Sequence, residues 1–323
     1  MILRPPKPLK SIIPQPKPKR LPKGKPVTVC VAAICERGDV VVSATDAATS
    51  VGEISSDNNL PKMILLGDWL FMYAGEPSNA DLLLEEIRPL GGKITRANIR
   101  SVVHKAFQRR ASRWASDEIL MPFDMDIDEF KRKGKSIFGE SHAAEIARQI
   151  SEAAKNFYDQ LLVVGWGDSR MALIQEENRG GSVSHSLLGY AAIGSGGSTA
   201  ASQLLMLKHA RHSSLTETLY SVAAAKFSAE AADGVGQNTV IRVAWKRKDS
   251  DSRDQPPGRF IQLQEIDVLR AMWLESGKPK VPYLSYKDLK SVLDKSGIDF
   301  EHSIGASVRY AERVLARELV LKD

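Results

Sequence analysis

The sequence predicts an α+β protein in which two antiparallel sheets stack face to face between two helical layers, a four-layer αββα sandwich. Three observations predict it. Strands arrive as hairpins rather than singly, which favours antiparallel pairing over a doubly wound parallel sheet. Helical stretches come in separate blocks, each following a block of strands. A chain of 323 residues that is 43% hydrophobic can bury a substantial core.

The elements follow in order. Residues 28–35 (TVCVAAIC) are apolar and β-branched, 36–39 (ERGD) form a turn, and 40–46 (VVVSATD) return as a second strand. Residues 62–75 (KMILLGDWLFMYAG) form a second hairpin turning at Gly67-Asp68. Helices are predicted over 77–91, 95–118 and 141–158, with a charged, Met-rich connector over 119–140. Strands return at 160–167, 170–177 and 184–194. Ser195-Gly196-Gly197 breaks the chain before helices at 198–210 and 214–232. A strand over 238–246, a charged loop over 246–258, a strand over 260–266 and helical segments complete the chain.

Charge is unevenly placed. Residues 1–26 hold eight of the 45 Lys/Arg, none of the 39 Asp/Glu, and eight of the 16 prolines. The remaining body carries 37 basic against 39 acidic residues, so the net charge of +6 resides in the tail. Alternating Pro and Lys predicts an extended, disordered segment. Nucleic-acid binding would rest on that tail alone and is not expected. No run of about 18 apolar residues is present, so no membrane span is expected. The two cysteines, Cys30 and Cys35, make no disulfide framework, and with no signal peptide they favour a reducing cytoplasm. The six histidines form no HExxH or Cys/His cluster, so neither metal nor organic cofactor is expected. GSGGST at 194–199 suits an anion cradle but lacks the GK[ST] of a phosphate loop.

Four strings, TVCVAAICERGDVVVSATDAATS, DNNLPKMILLGDWLFMYAG, LLVVGWGD and GYAAIGSGGSTAASQLL, resemble proteasome β-type subunits and their bacterial relatives in order and spacing. These are N-terminal nucleophile (Ntn) hydrolases, and the resemblance spans about residues 28–245. It implies the Ntn hydrolase fold, a threonine-type peptidase or amidohydrolase, a peptide or other amide as substrate, and a homo-oligomeric ring. It names no ATPase partner. The implied site is Thr28 as nucleophile, Asp46 and Lys62 beside it, Gly75 as oxyanion donor, and Ser195 supporting the N-terminal amine. A turn two residues longer than usual leaves strand faces unchanged, so Thr28 lines up with the nucleophile and Cys30 points from the same face, deeper in. Two alternatives stay open: Cys30, where the usual separation counted back from Asp46 lands, or no nucleophile.

The chain departs from the family pattern at Val27 (usually Gly), Ala48 (usually Arg) and Gly236 (usually Ser). Val27 stands where relatives have their initiator Met, which predicts that translation starts at codon 27 as GTG, and that Met removal exposes Thr28. The expected organisation is a tail over 1–26, a hydrolase domain over 27–246, and an extension over 247–323. A scaffold lacking activity, its N-terminus blocked by the tail, is the alternative.

Overall fold

The computed structural model describes residues 28–47, 49–51, 54–56, 62–167, 169, 171–178, 181–247, 257–276 and 291. The tail over 1–26, Val27, Ala48, residues 248–256 of the charged loop and the helical segments expected beyond 276 lie outside the described residues.

The first hairpin pairs β1 (Cys30–Cys35) with β2 (Val40–Asp46), Cys30 facing Thr45 and Cys35 facing Val40. In the turn, Glu36 and Arg37 both take positive φ. Bonds from distant parts of the chain hold it there: the Glu36 carboxylate accepts the Leu215 N–H at 2.7 Å, and the Trp166 indole N–H donates to the Gly38 carbonyl at 2.8 Å. A small hairpin follows, β3 (Thr49–Val51) with β4 (Ile54–Ser56). Next come β5 (Met63–Leu66) and β6 (Trp69–Ala74).

Four helices follow: α1 (Pro77–Ile87), α2 (Ile99–Leu120), α3 (Ile127–Phe138) and α4 (Glu140–Ala154). The expected connector over 119–140 is therefore largely helical. Asp126 caps α3 by accepting the Glu129 N–H at 2.7 Å, and buried Phe130 and neighbouring Ile127 pack with α2 and α4 in a satellite cluster.

β7 (Gln160–Gly165), β8 (Leu173–Asn178) and β9 (Gly181–Ser184) extend the second sheet. Of the single strand expected over 184–194 only Tyr190–Ile193 forms, because Ser184 ends β9 in the second sheet and the chain crosses over at 185–189. Gly189, at φ +88°, makes that crossing, and a Cβ there would stand 2.5 Å from Arg211 Cγ. β10 (Tyr190–Ile193) then joins the first sheet. α5 (Gly197–Met206), α6 (Leu215–Ala229), β11 (Thr239–Trp245), β12 (Gly258–Phe260) and α7 (Leu263–Ser276) complete the described chain. The strand expected over 260–266 gives way to α7, because Ile266, Leu269 and Met272 bury at a spacing of three.

Every strand pairing is antiparallel. One sheet runs β10-β1-β2-β11-β12 and the other β5-β6-β7-β8-β9. Alternation sorts the side chains into layers. Val31, Ala33, Val40 and Val42 meet α5, α6 and α7; Cys30, Ala32, Ile34, Met72 and Leu162 fill the space between the sheets; Phe71 and Val163 meet α1 and α2. This is the four-layer αββα sandwich that the hairpins predict.

Candidate active site

Thr28 lies just before β1, Asp46 ends β2, and Lys62 lies just before β5, its carbonyl still accepting the Tyr73 N–H at 3.3 Å. Strand alternation alone would not join them. Thr28 shares the parity of Cys30, facing between the sheets, whereas Asp46 shares that of Val42, facing the helices. They meet because all three stand at strand ends, where side chains can bend around the rim.

The Thr28 hydroxyl donates to Asp46 Oδ1 and accepts from the Lys62 ammonium, both in direct contact. Lys62 Nζ also bonds both carboxylate oxygens of Asp46 at 3.0 Å. Asp46 is fully buried, and two backbone N–H groups complete its shell, Val29 at 3.0 Å and Gly236 at 3.2 Å. A buried carboxylate needs such company, since desolvating it alone is prohibitive.

The GSGG string wraps the Thr28 backbone. A Cβ at Gly194, where φ is +91°, would lie 2.2 Å from the Thr28 carbonyl oxygen, so only glycine fits there. That oxygen accepts the Gly196 N–H at 3.2 Å. Ser195 Oγ accepts the Thr28 N–H at 3.3 Å and gives its own proton to the Asp233 carbonyl at 3.2 Å or the Thr28 carbonyl at 3.3 Å. Gln160 Oε1 secures the Gly194 N–H at 2.7 Å.

Gly75 follows β6 and precedes α1, with the N-terminal end of that helix beside it. A Cβ at Gly75 would meet Asp159 Oδ1 at 2.1 Å. That buried carboxylate accepts the Glu76 N–H at 3.2 Å and the Asn79 side-chain N–H at 2.8 Å. Burial raises the Asp159 carboxyl above its usual range, and these donors only partly oppose the shift. The strand end bearing Gly75 adjoins β1, for the Cys30 thiol donates to the Tyr73 carbonyl at 3.5 Å.

The structure thus brings Thr28, Asp46, Lys62 and Ser195 into one hydrogen-bonded cluster. Cys30, the alternative nucleophile, is fully buried, and burial pushes its thiol far above the usual range despite nearby Lys62. It holds no accessible thiolate. Sequence reasoning missed Gln160, and it gave Gly194, Gly196 and Gly236 no part in holding Thr28 or Asp46, although the glycine string marked the first two. Gly236, read as a missing serine, contributes its backbone N–H, which no side-chain motif reveals.

Among the described residues, no group of three or more His, Cys, Asp or Glu is placed to hold a metal ion. Among them, too, no helix is long and apolar enough to cross a membrane.

No family model matches the chain, and neither does any curated protein. Solved structures do resemble it. An Anbu (Gly-1) mutant from Hyphomicrobium sp. strain MC1 aligns over 77% of this chain and 94% of its own, with a TM-score of 0.52 at 15% identity. Anbu (ancestral beta-subunit) from Yersinia bercovieri aligns over the same shares, with a TM-score of 0.52 at 14% identity. These findings correct the sequence resemblance to proteasome β-type subunits and their bacterial relatives. At such identity the relation is distant at most, because a shared core preserves the spacing of apolar residues and turns without preserving chemistry. What is shared is the fold, the four-layer αββα sandwich of two antiparallel sheets.

Proposed function

We propose that the protein hydrolyses amide bonds with the Thr28 hydroxyl as nucleophile, once the peptide bond before Thr28 has been cut. The carrying observation is the seat of that hydroxyl, between the Lys62 ammonium and the buried Asp46 carboxylate. In the uncut chain the Thr28 nitrogen is a peptide N–H and cannot act as a base. After the cut it becomes an α-amine beside Ser195. The amine takes the hydroxyl proton as the oxygen attacks the substrate carbonyl. Lys62 favours the developing alkoxide through its charge, and Asp46 fixes Lys62. The Gly75 N–H receives the oxyanion. The leaving amine takes the proton, an ester remains on Thr28, and water releases the acid.

In this reading residues 27–246 form the hydrolase domain and 247–323 an extension, while the tail over 1–26 and then residue 27 are absent from the working form, which begins at Thr28. Substrates are peptides or small amides, and copies assemble into a homo-oligomer, as the word beta-subunit in the name of the Yersinia neighbour suggests. The test is a fusion whose cleavage leaves Thr28 first, treated with an α,β-epoxyketone that needs hydroxyl and amine together. An adduct on Thr28, lost in Thr28→Ala, is the expected result. Amide hydrolysis surviving in Thr28→Ala overturns the reading.

The alternative reading is a scaffold whose nucleophile is never released. Mass spectrometry of the native N-terminus separates the two: chains starting at Thr28 support the enzyme, and chains retaining residues 1–26 support the scaffold.

A further inference from the structure

Gly236, which donates to Asp46, is itself held from behind. Its carbonyl accepts from Lys226 Nζ at 2.8 Å, and the next carbonyl, of Gln237, accepts from Lys226 at 3.0 Å and from Arg270 at 2.7 Å. Glu230 bridges the two cations, receiving Arg270 through both oxygens at 2.7 and 2.8 Å and pairing directly with Lys226. Arg270 also reaches Thr239 Oγ1 at 3.3 Å, and Thr239 is the register partner of Asp46 across β2 and β11. Its guanidinium lies over the Phe227 ring, 4.2 Å from the centroid. The Lys226 side chain is fully buried, and burial lowers its pKa against the opposing pull of Glu230.

Burying the Lys226 ammonium is costly even with Glu230 beside it, and a packed apolar cluster would join α6 to α7 at least as well. The network's directional bonds converge instead on two consecutive carbonyls, and the peptide between Val235 and Gly236 is left aiming its N–H at Asp46. We infer that Lys226, Glu230 and Arg270 form a positioning unit that sets the donor on Asp46, so that helix α7 helps to orient the Thr28–Lys62 pair. The inference rests on the proposed reaction for its catalytic consequence. The geometry it asserts can be tested without that reaction.

The first measurement is amide hydrogen exchange in the full chain. Arg270→Met keeps much of the stem on Phe227 and removes the guanidinium. Exchange at Gly236 and Val29, both donors to Asp46, should quicken at least about 10-fold, while Ile34 and Val42 stay unchanged. Arg270→Lys should restore part of the protection. The second measurement uses the chain from Thr28 to Asp323, which keeps every residue the structure describes. There Arg270→Met should lower kcat roughly 10- to 100-fold with KM unchanged, since displacing a supporting group misaligns the reacting atoms. Should Arg270→Met not fold, Glu230→Gln carries the same two tests with the shape kept. Unchanged exchange at Gly236 in an active protein overturns the inference alone. A wild-type chain that never hydrolyses amides, yet whose Gly236 exchange responds, overturns the proposed reaction and leaves the positioning unit standing.

Discussion

The middle and the end of the space between the two sheets are built on opposite principles. The middle holds Ala32, Ile34, Met72, Leu162 and Val164, all nearly or fully buried. Close packing of small and branched side chains stabilises it, and each fully buried Leu or Ile adds about 1.5–3 kcal/mol. At the end of the same layer, past Cys30, stand a hydroxyl, a carboxylate and an ammonium. Little apolar area is gained there, and stability depends on each charged group finding its partners. The apolar middle is the rigid part, and it fixes the rim on which the charged groups can be arranged.

Substitutions can break this comparison. The largest effect on stability belongs to the middle: Leu162→Ala should cost about 3–4 kcal/mol in denaturant unfolding. Its effect on the acylation rate of the Thr28-first chain should stay within a few-fold. A large rate loss without unfolding would show that the middle does more than support. Lys62→Met should cost about 3 kcal/mol, because it removes the one counter-charge of a fully buried carboxylate and leaves it two N–H donors and the Thr28 hydroxyl. Unlike Leu162→Ala, it should also slow acylation about 1000-fold. Equal rates would remove Lys62 from the mechanism. Gly75→Ala drives a methyl against Asp159 and should cost about 2 kcal/mol. Acylation should fall with it, so a normal rate would release Gly75 from its oxyanion role.

The smallest effect lies at the opposite end of the sandwich. His209 is buried, its Nε2 is 3.0 Å from the Ile34 carbonyl, and burial lowers its pKa from 6.5. A group depressed in the folded state lends stability above its unfolded pKa and loses it as pH falls toward the folded value. Unfolding free energy should therefore drop below about pH 6.5, by at most about 1.4 kcal/mol per pH unit, and His209→Gln should flatten the drop. An unaltered slope in the variant would assign the acid sensitivity to other groups.

Much of the sandwich is legible because hairpins advertise themselves. Continuous apolar runs flank ERGD and Gly67-Asp68, and both pairs become paired strands. Less legible is what depends on distant contacts. The 184–194 run reads as one strand because nothing local reveals that Gly189 turns the chain from one sheet to the other. FIQLQEI carries enough β-branched and apolar residues to suggest a strand, and only packing against α6 selects the helix. The cluster at the rim shows the same limit. Strand parity sends Thr28 and Asp46 to opposite faces, and only the end positions let them meet. The sequence names residues that could act together; their contact depends on where the strands stop.

The Thr28 backbone is gripped on its downstream side: Gly196 donates to its carbonyl, Gly194 leaves that carbonyl room, and Asp46 holds the next amide. If the proposed cleavage ahead of Thr28 takes place, it turns one peptide N–H into an amine beside Ser195 while these downstream bonds stand, so the change it makes to the site is one of proton inventory.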